Sequence, residues 1–491
     1  MRPRTTVMIQ GDSKIVVPDD ISVLTTFVLR EQEDWFEDEI HFVRKMVFPG
    51  MKSIDIGASY GLYALALAKG AGDAGKVISF EPTPETAECL AETFRLNRID
   101  NVEVKQMAVS ESSGIRRFCY GTSTELNHLA KDIPKGTVHS EFEVYSTSID
   151  EIRSTFPTGI DFVKIDAEGE EENILRGASS FLQEESPLLM FELNDERRCD
   201  FRLFDILKGW GYQAYRLLPG PNILVPLHLD DQLPNYLLNV FFCKPDKAAC
   251  LKYQRFLLIN EEDEDEIIIE EGAWILKCSS VTATKDYVTN WTQAVSNSSV
   301  RVTRYLKALN LAVISEDGKY SSEIRVAALK KAAMLLNMLC DVEPTVPRLS
   351  TLARVMVAMG EKIAACEVIQ KALNLCPDLK YEIVDEPFLL PDERKEWKAT
   401  GDDFLVVALF EKLQNLYCFS TYFCPGFYLK IIDDFVKRRI MTPELERRRQ
   451  LALMLQKKQI TPEPSEILAK KTIDNLNPEY WNKNANFGTQ I

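Results

Sequence analysis

Apolar residues in the first half of the chain come in short runs separated by longer amphipathic stretches. Lys52–Gly57, Val77–Glu81, Val102–Val109, Phe162–Asp166 and Leu188–Leu193 are such runs. Bounded by turn residues, they predict strands buried on both faces. Between them the pattern predicts helices over Tyr60–Lys69, from Pro84 to about Asn97, over Glu170–Phe181 and over Arg202–Gly209. Thr83-Pro84-Glu85 is a helix start, with Thr83 to cap free amides and Pro84 preset for the first turn. Arg116–Tyr120 and Glu141–Thr147 predict further strands around a Ser/Thr-rich loop. Tyr212–Leu217 and Leu237–Cys243 close the series as an antiparallel edge hairpin. Gln32–Val47 is predicted as one amphipathic helix ahead of the first strand. Strand–helix alternation of this kind implies a parallel sheet with helices on both faces.

After about Lys244 the pattern changes. Glu261–Gly272 is an acidic run, expected as a solvated linker. Beyond it the periodicity is helical, over Ser322–Cys340, Arg348–Met359, Lys362–Leu375, Phe404–Tyr417, Pro425–Lys437 and Pro443–Lys458. Leu352, Ala353, Gly360, Ala365, Ala372, Leu373 and Pro377 fall where a tetratricopeptide repeat would have them. A generic helix hairpin accounts for them equally well. The basic residues Lys437, Arg438, Arg439, Arg447, Arg448 and Arg449 are expected on the charged face of two solvated helices. The expected domains are 1–246, an acidic linker 247–272, and a helical domain 273–491 with the tetratricopeptide-like hairpin at about 346–379.

Composition narrows the classes. The chain has 491 residues, 45% hydrophobic and 27% charged, with a net charge of −16. The length fits two domains. The acidic balance argues against a general nucleic-acid binder. Its 11 cysteines include no C-x-x-C pair, which fits reduced thiols in a cytoplasmic protein. Neither a signal peptide nor a membrane span is visible.

The chemistry concentrates at strand ends. Asp55-Ile56-Gly57-Ala58-Ser59-Tyr60-Gly61 ends a buried strand in a glycine turn and opens a helix. The glycines are not spaced for a dinucleotide, and Asp55 suits a cation better than a pyrophosphate. Glu81, ending the next strand, can accept both hydroxyls of a ribose, or stand as a solvated carboxylate. A sulfonium with an amino-acid tail, a ribose and an adenine, as in S-adenosylmethionine, matches the set. Asp166 and Glu168 end a later strand, two residues apart and so facing the same way.

With Phe80-Glu81-Pro82, Lys164-Ile165-Asp166-Ala167-Glu168-Gly169 and Leu175-Arg176-Gly177-Ala178 in order, residues of roughly 30–245 resemble the FkbM family of class I S-adenosylmethionine-dependent methyltransferases. The resemblance implies an α/β, Rossmann-like seven-stranded sheet with an antiparallel last strand, here followed by a mainly α-helical domain. It implies S-adenosylmethionine as cofactor, held by Asp55, Gly57, Ala58, Gly61 and Glu81. Met107 and Ala108 would flank the adenine, although Met107 also suits plain core.

Methyl transfer to a hydroxyl needs alignment and a base. Asp166 and Glu168 are candidates; alternatively one orients the cofactor and the other caps the next helix. His128 is a second candidate base, or an exposed loop residue. Glu192 and Asn194 can contact the acceptor. Tyr60 and Trp35 can form an apolar wall or pack in the core. Asp166 and Glu168 lack a further ligand, so no metal is expected. The expected activity is O-methylation of a glycan or natural product. Alternatives are peptide or protein N-methylation using the helical domain, or an interaction protein with an idle methyltransferase domain. The expected partners are the acceptor, without nucleic acid or membrane, and a second copy or another protein on the helical domain.

Overall fold

The computed structural model describes the chain except residues 1–2, 120–127, 130–140, 168, 194–200, 229–236, 261–266, 268–269, 297–299, 382–385, 393–402, 457–464 and 486–491. Two compact units divide it. One comprises 1–217, 224–231 and 237–259; the other comprises 218–223, 232–236 and 260–491.

The first unit opens with a hairpin of β1 (Arg4–Ile9) and β2 (Ser13–Pro18). The main strands are β3 (Lys52–Ile56), β4 (Lys76–Phe80), β5 (Val102–Lys105), β10 (Phe162–Ile165), β11 (Leu188–Glu192), β12 (Gln213–Leu218), β13 (Ile223–Pro226) and β14 (Asn239–Cys243). They form an eight-stranded sheet in the order β13-β12-β14-β11-β10-β3-β4-β5. β11, β10, β3, β4 and β5 are parallel, and β14 is antiparallel to both of its neighbours. This is a mixed α/β sheet of the expected class, with one strand more than the expected seven. The two last strands do pair antiparallel, but β14 lies inside the sheet. The edge goes to β13, too short to stand out in the sequence.

Both sheet faces are covered, as strands without polar alternation require. Phe241 packs against Phe42 at 5.4 Å on one face, while Phe242 meets Phe204 at 4.9 Å on the other. The expected third strand breaks after Lys105. Ala108–Val109, as β6, leaves the main sheet for a second one with β7 (Gly114–Cys119), β8 (His128–Leu129) and β9 (Glu141–Thr147). The expected helix 32–47 is also broken. One helix ends at Gln32 and the next spans Asp38–Met46, because Glu33 takes a left-handed conformation (φ 56°) and Asp34 pairs with Arg44. Residues 33–37 thereby turn out of the helix.

In the second unit the described elements are helical. Ser322–Val342, Val346–Met359, Lys362–Asn374, Phe404–Leu416, Pro425–Lys437 and Pro443–Leu455 match the expected spans closely. Gly360, at φ 80°, joins the second to the third, and Ala353, Ala365 and Ala372 are fully buried. The solvated basic face is corrected for two residues. Arg447 and Arg448 are buried, and Arg448 pairs with Glu444 at 3.1 Å. Polar composition concealed this, since a buried guanidinium is stable only with partners that sequence does not display. No described helix is long and apolar enough to cross a membrane.

Candidate functional site

Strand register builds the site. Ser79, Asp55, Lys164, Met190, Phe241 and Tyr215 lie side by side across six strands, from β4 to β12. The row is apolar at one end and charged at Asp55 and Lys164. Two residues further, on the same face, come Asp166 beyond β10 and the directly paired Glu192 and Asn239. The carboxyl ends of the parallel strands thus carry three acids around one lysine.

The turn after β3 is held by backbone. The amides of Gly57 and Ala58 both donate to the Phe80 carbonyl, at 3.0 and 2.9 Å. Gly57 has φ 78°, and a Cβ there would meet the Asp166 carbonyl oxygen at 1.8 Å. Gly61, at φ 93°, starts the helix Leu62–Ala71, and its Cβ would meet Leu90 at 2.5 Å. Only glycine satisfies both conformation and space.

Asp55 is 1% exposed, and among the described residues no hydrogen bond of ordinary geometry reaches its carboxylate oxygens, although the Ala64 amide lies close. Burial raises it to about 6, although the Lys164 charge and the nearby Ala64 amide work in the other direction. Glu81 is buried and raised to about 7 by desolvation. Its Oε2 accepts the Ser59 amide at 3.0 Å and its Oε1 the Thr83 amide at 2.8 Å. Thr83 does not cap its helix; its hydroxyl serves the buried Glu81 instead.

Lys164 is buried and donates to Asp166 Oδ2 at 2.7 Å. Burial disfavours its charge, but Asp166, Asp55 and Glu37 raise its pKa overall. Burial likewise pushes Asp166 up, but the Lys164 charge and hydrogen bonds from Glu192 and Lys164 bring it below the usual carboxylate range. Glu192 goes the opposite way, raised by burial, by the Asp166 charge and by their hydrogen bond. The two carboxyls titrate as a pair, with the anion favoured on Asp166 beside Lys164. The Asp166 side chain remains 29% exposed, so its anion is reachable.

The structure brings Asp55, Gly57, Ala58, Gly61, Glu81, Asp166 and Glu192 to one edge. Met107 is half-buried and Ala108 buried just past the break after β5. Tyr60 is 1% exposed and belongs to the hydrophobic core. His128 is described only as backbone of β8, opposite Cys119. Glu168 and Asn194 lie outside the described residues. Within the described part of this loop, Glu171 accepts the amides of Ala167 and Gly169 ahead of its helix. Sequence reasoning gave no role to Glu37, Tyr63, Lys164 or Asn239. Only Lys164 carried a signal, as a charged residue inside an otherwise apolar strand.

Among solved structures, the chain is similar to methyltransferase FkbM from Methylobacillus flagellatus KT, with 18% identity, 45% of this chain and 58% of that one, and a TM-score of 0.28. It is also similar to a SAM dependent methyltransferase from Aquifex aeolicus, with 16% identity, 46% and 98% coverage, and a TM-score of 0.26. A third is an O-methyltransferase from Thermotoga maritima, with 15% identity, 49% and 78% coverage, and a TM-score of 0.26. No curated protein matches the chain in sequence. Residues 55–214 match the family described as Methyltransferase FkbM domain, a span that runs from Asp55 through Glu81 and Asp166 to Glu192. The chain carries a methyltransferase FkbM domain and is an S-adenosylmethionine-dependent methyltransferase.

Proposed function

We propose that the enzyme methylates a hydroxyl of a glycan or natural-product acceptor in the cytoplasm. The observation that carries this reading is Asp166, a partly exposed anion beside Glu192, at the same strand edge as Asp55 and Glu81. A hydroxyl acceptor must lose a proton as the methyl arrives, and an ionised carboxylate can take it. Asp166 Oδ is assigned that proton. Glu168 and His128 are retained as alternative bases from the sequence. Glu192 and Asn194 would contact the acceptor.

The residues fit the cofactor. Asp55 is a buried carboxylate that no ordinary hydrogen bond reaches among the described residues, which leaves it open to a cationic ligand, and Gly57 and Gly61 keep the turn free of side chains. In this reading Asp55, Gly57, Ala58 and Gly61 hold the methionine part. Glu81 takes the ribose hydroxyls, while Met107 and Ala108 flank the adenine. When bound, S-adenosylmethionine supplies an electrophilic methyl on a positively charged sulfur. The protein's part is to align the acceptor and remove its proton.

The same reading assigns 1–246 to catalysis, 247–272 to an acidic linker and 273–491 to a helical domain. There the pair Val346–Met359 and Lys362–Asn374 is tetratricopeptide-like and serves a second copy or a protein partner. The test has two arms. S-adenosylmethionine and S-adenosylhomocysteine should raise the melting temperature of the wild type, and the shift should shrink in Glu81→Ala. Absence of any shift in the wild type would sink the cofactor site. Candidate acceptors incubated with enzyme and labelled cofactor should gain one methyl on oxygen. Labelling only of peptide nitrogen would replace this reading with protein methylation.

A further inference from the structure

Three contacts converge on a residue outside the span of the family match. Glu37, half-buried just before the helix Asp38–Met46, accepts Tyr63 Oη on its Oε2 at 2.5 Å and Asn239 Nδ2 on the same oxygen at 3.3 Å. Its Oε1 accepts Trp35 Nε1 at 2.8 Å. The Tyr63 ring lies under Lys164, with Nζ 5.0 Å from its centroid. Lys164 pairs with Asp166, Asp166 and Glu192 lie two residues beyond the register partners Lys164 and Met190, and Glu192 sits directly across the strand pair from Asn239. Asn239 leads back to Glu37. The six residues form one cluster, and two of them, Glu37 and Asn239, flank the matched residues 55–214.

We infer that Glu37 is a positioning residue of the methyl-transfer site, completing a cluster of side chains that fixes Lys164 and, through it, the Asp166–Glu192 pair. This rests on the methyltransferase reading of that edge. Physically, Lys164 has several carboxylates to choose from, including Asp55 on the adjacent strand. Glu37 adds to the acids acting on Lys164 and anchors the Tyr63 ring on which the ammonium sits, worth most where water is excluded. The break between the helices at 33–37 is what delivers it. A continuous helix over 32–47 would carry residue 37 on in helical geometry; the observed break gives it the extended backbone of a helix cap instead.

The charged groups facing Glu192 are Asp166, Lys164 and Glu37. Carbon-13 NMR of carboxyl-labelled glutamates in the full chain, assigned by Glu192→Gln, reads the Glu192 titration directly. Glu37→Gln keeps the shape and removes the charge. It should move that titration downward by a few tenths to about one unit. Glu37→Asp withdraws the charge from Tyr63 without deleting it, and should give a smaller shift in the same direction. S-adenosylhomocysteine affinity by calorimetry is expected within about threefold of wild type in both, because Glu37 does not touch Asp55 or Glu81. An unmoved Glu192 titration in the two variants overturns the positioning role. A wild type that binds no S-adenosylhomocysteine overturns the methyltransferase reading instead.

Discussion

Glu81→Gln tests the site at its most exact point. In the native fold Glu81 holds its proton to about pH 7, against an ordinary value of 4.5, with burial as the main cause. Because the folded value is raised, the stabilising contribution is complete below about pH 4.5, where both states are protonated. It is lost as pH rises through 7, since the unfolded chain ionises freely and the native site resists. A gap of ~2.5 units corresponds to ~3 kcal/mol across that window. Glutamine does not titrate, so its stability relative to wild type should improve by that amount between acid and pH 8.

A constant penalty opposes the gain. The Ser59 and Thr83 amides each donate to one carboxylate oxygen, and glutamine offers only one, leaving a buried donor unmet at about 1–3 kcal/mol. The signature is therefore the slope against pH rather than the sign at any one pH. Asp55 titrates in the same direction but is present in both proteins, so it largely cancels. Denaturant unfolding of the two cofactor-free proteins from pH 5 to 8 measures the difference. A stability difference flat in pH would refute the burial argument for Glu81.

Other perturbations follow from the same geometry. Gly57→Ala should cost about 2–5 kcal/mol, combining a left-handed non-glycine with a clash against the Asp166 carbonyl, and should abolish cofactor-induced thermal shifts. Normal melting and normal cofactor affinity in that variant would contradict the close approach of the turn to β10. Lys164→Met should raise the Asp166 pKa. Its penalty, about 1–3 kcal/mol given the exposure of Asp166, should be largest at pH 8 and relieved as pH falls and Asp166 takes a proton, as read by unfolding midpoints. Arg448→Ala should cost about 3–5 kcal/mol by removing a buried guanidinium that pairs with Glu444 and bonds Asn415. Lys437→Ala, at an exposed surface position, should leave the unfolding midpoint unchanged in the same denaturation assay.

Several features were settled along the chain itself. Short apolar runs with Asp55, Glu81, Asp166 and Glu192 at or near their carboxyl ends specify buried strands whose ends carry acids, because a strand buried on both faces tolerates few polar groups along its length. The glycines at 57 and 61 mark the turn, since no other residue takes that conformation in that space. The helices of the second half are legible because their apolar stripes are long and periodic. Other features depend on the tertiary structure. The break at Glu33, the departure of Ala108–Val109 into a second sheet and the burial of Arg448 are decided by partners distant in sequence. So is the division of labour among the acids. Asp166 is drawn below and Glu192 above the usual carboxylate range because Lys164 pairs with the first, a contact made where the fold brings these side chains together. Glu37 and Asn239, 202 residues apart, meet only because the fold brings the segment before β3 to the end of β14. Local pattern fixes which residues form the elements. Long-range electrostatics, which operates through space rather than along the chain, fixes what each charged residue does.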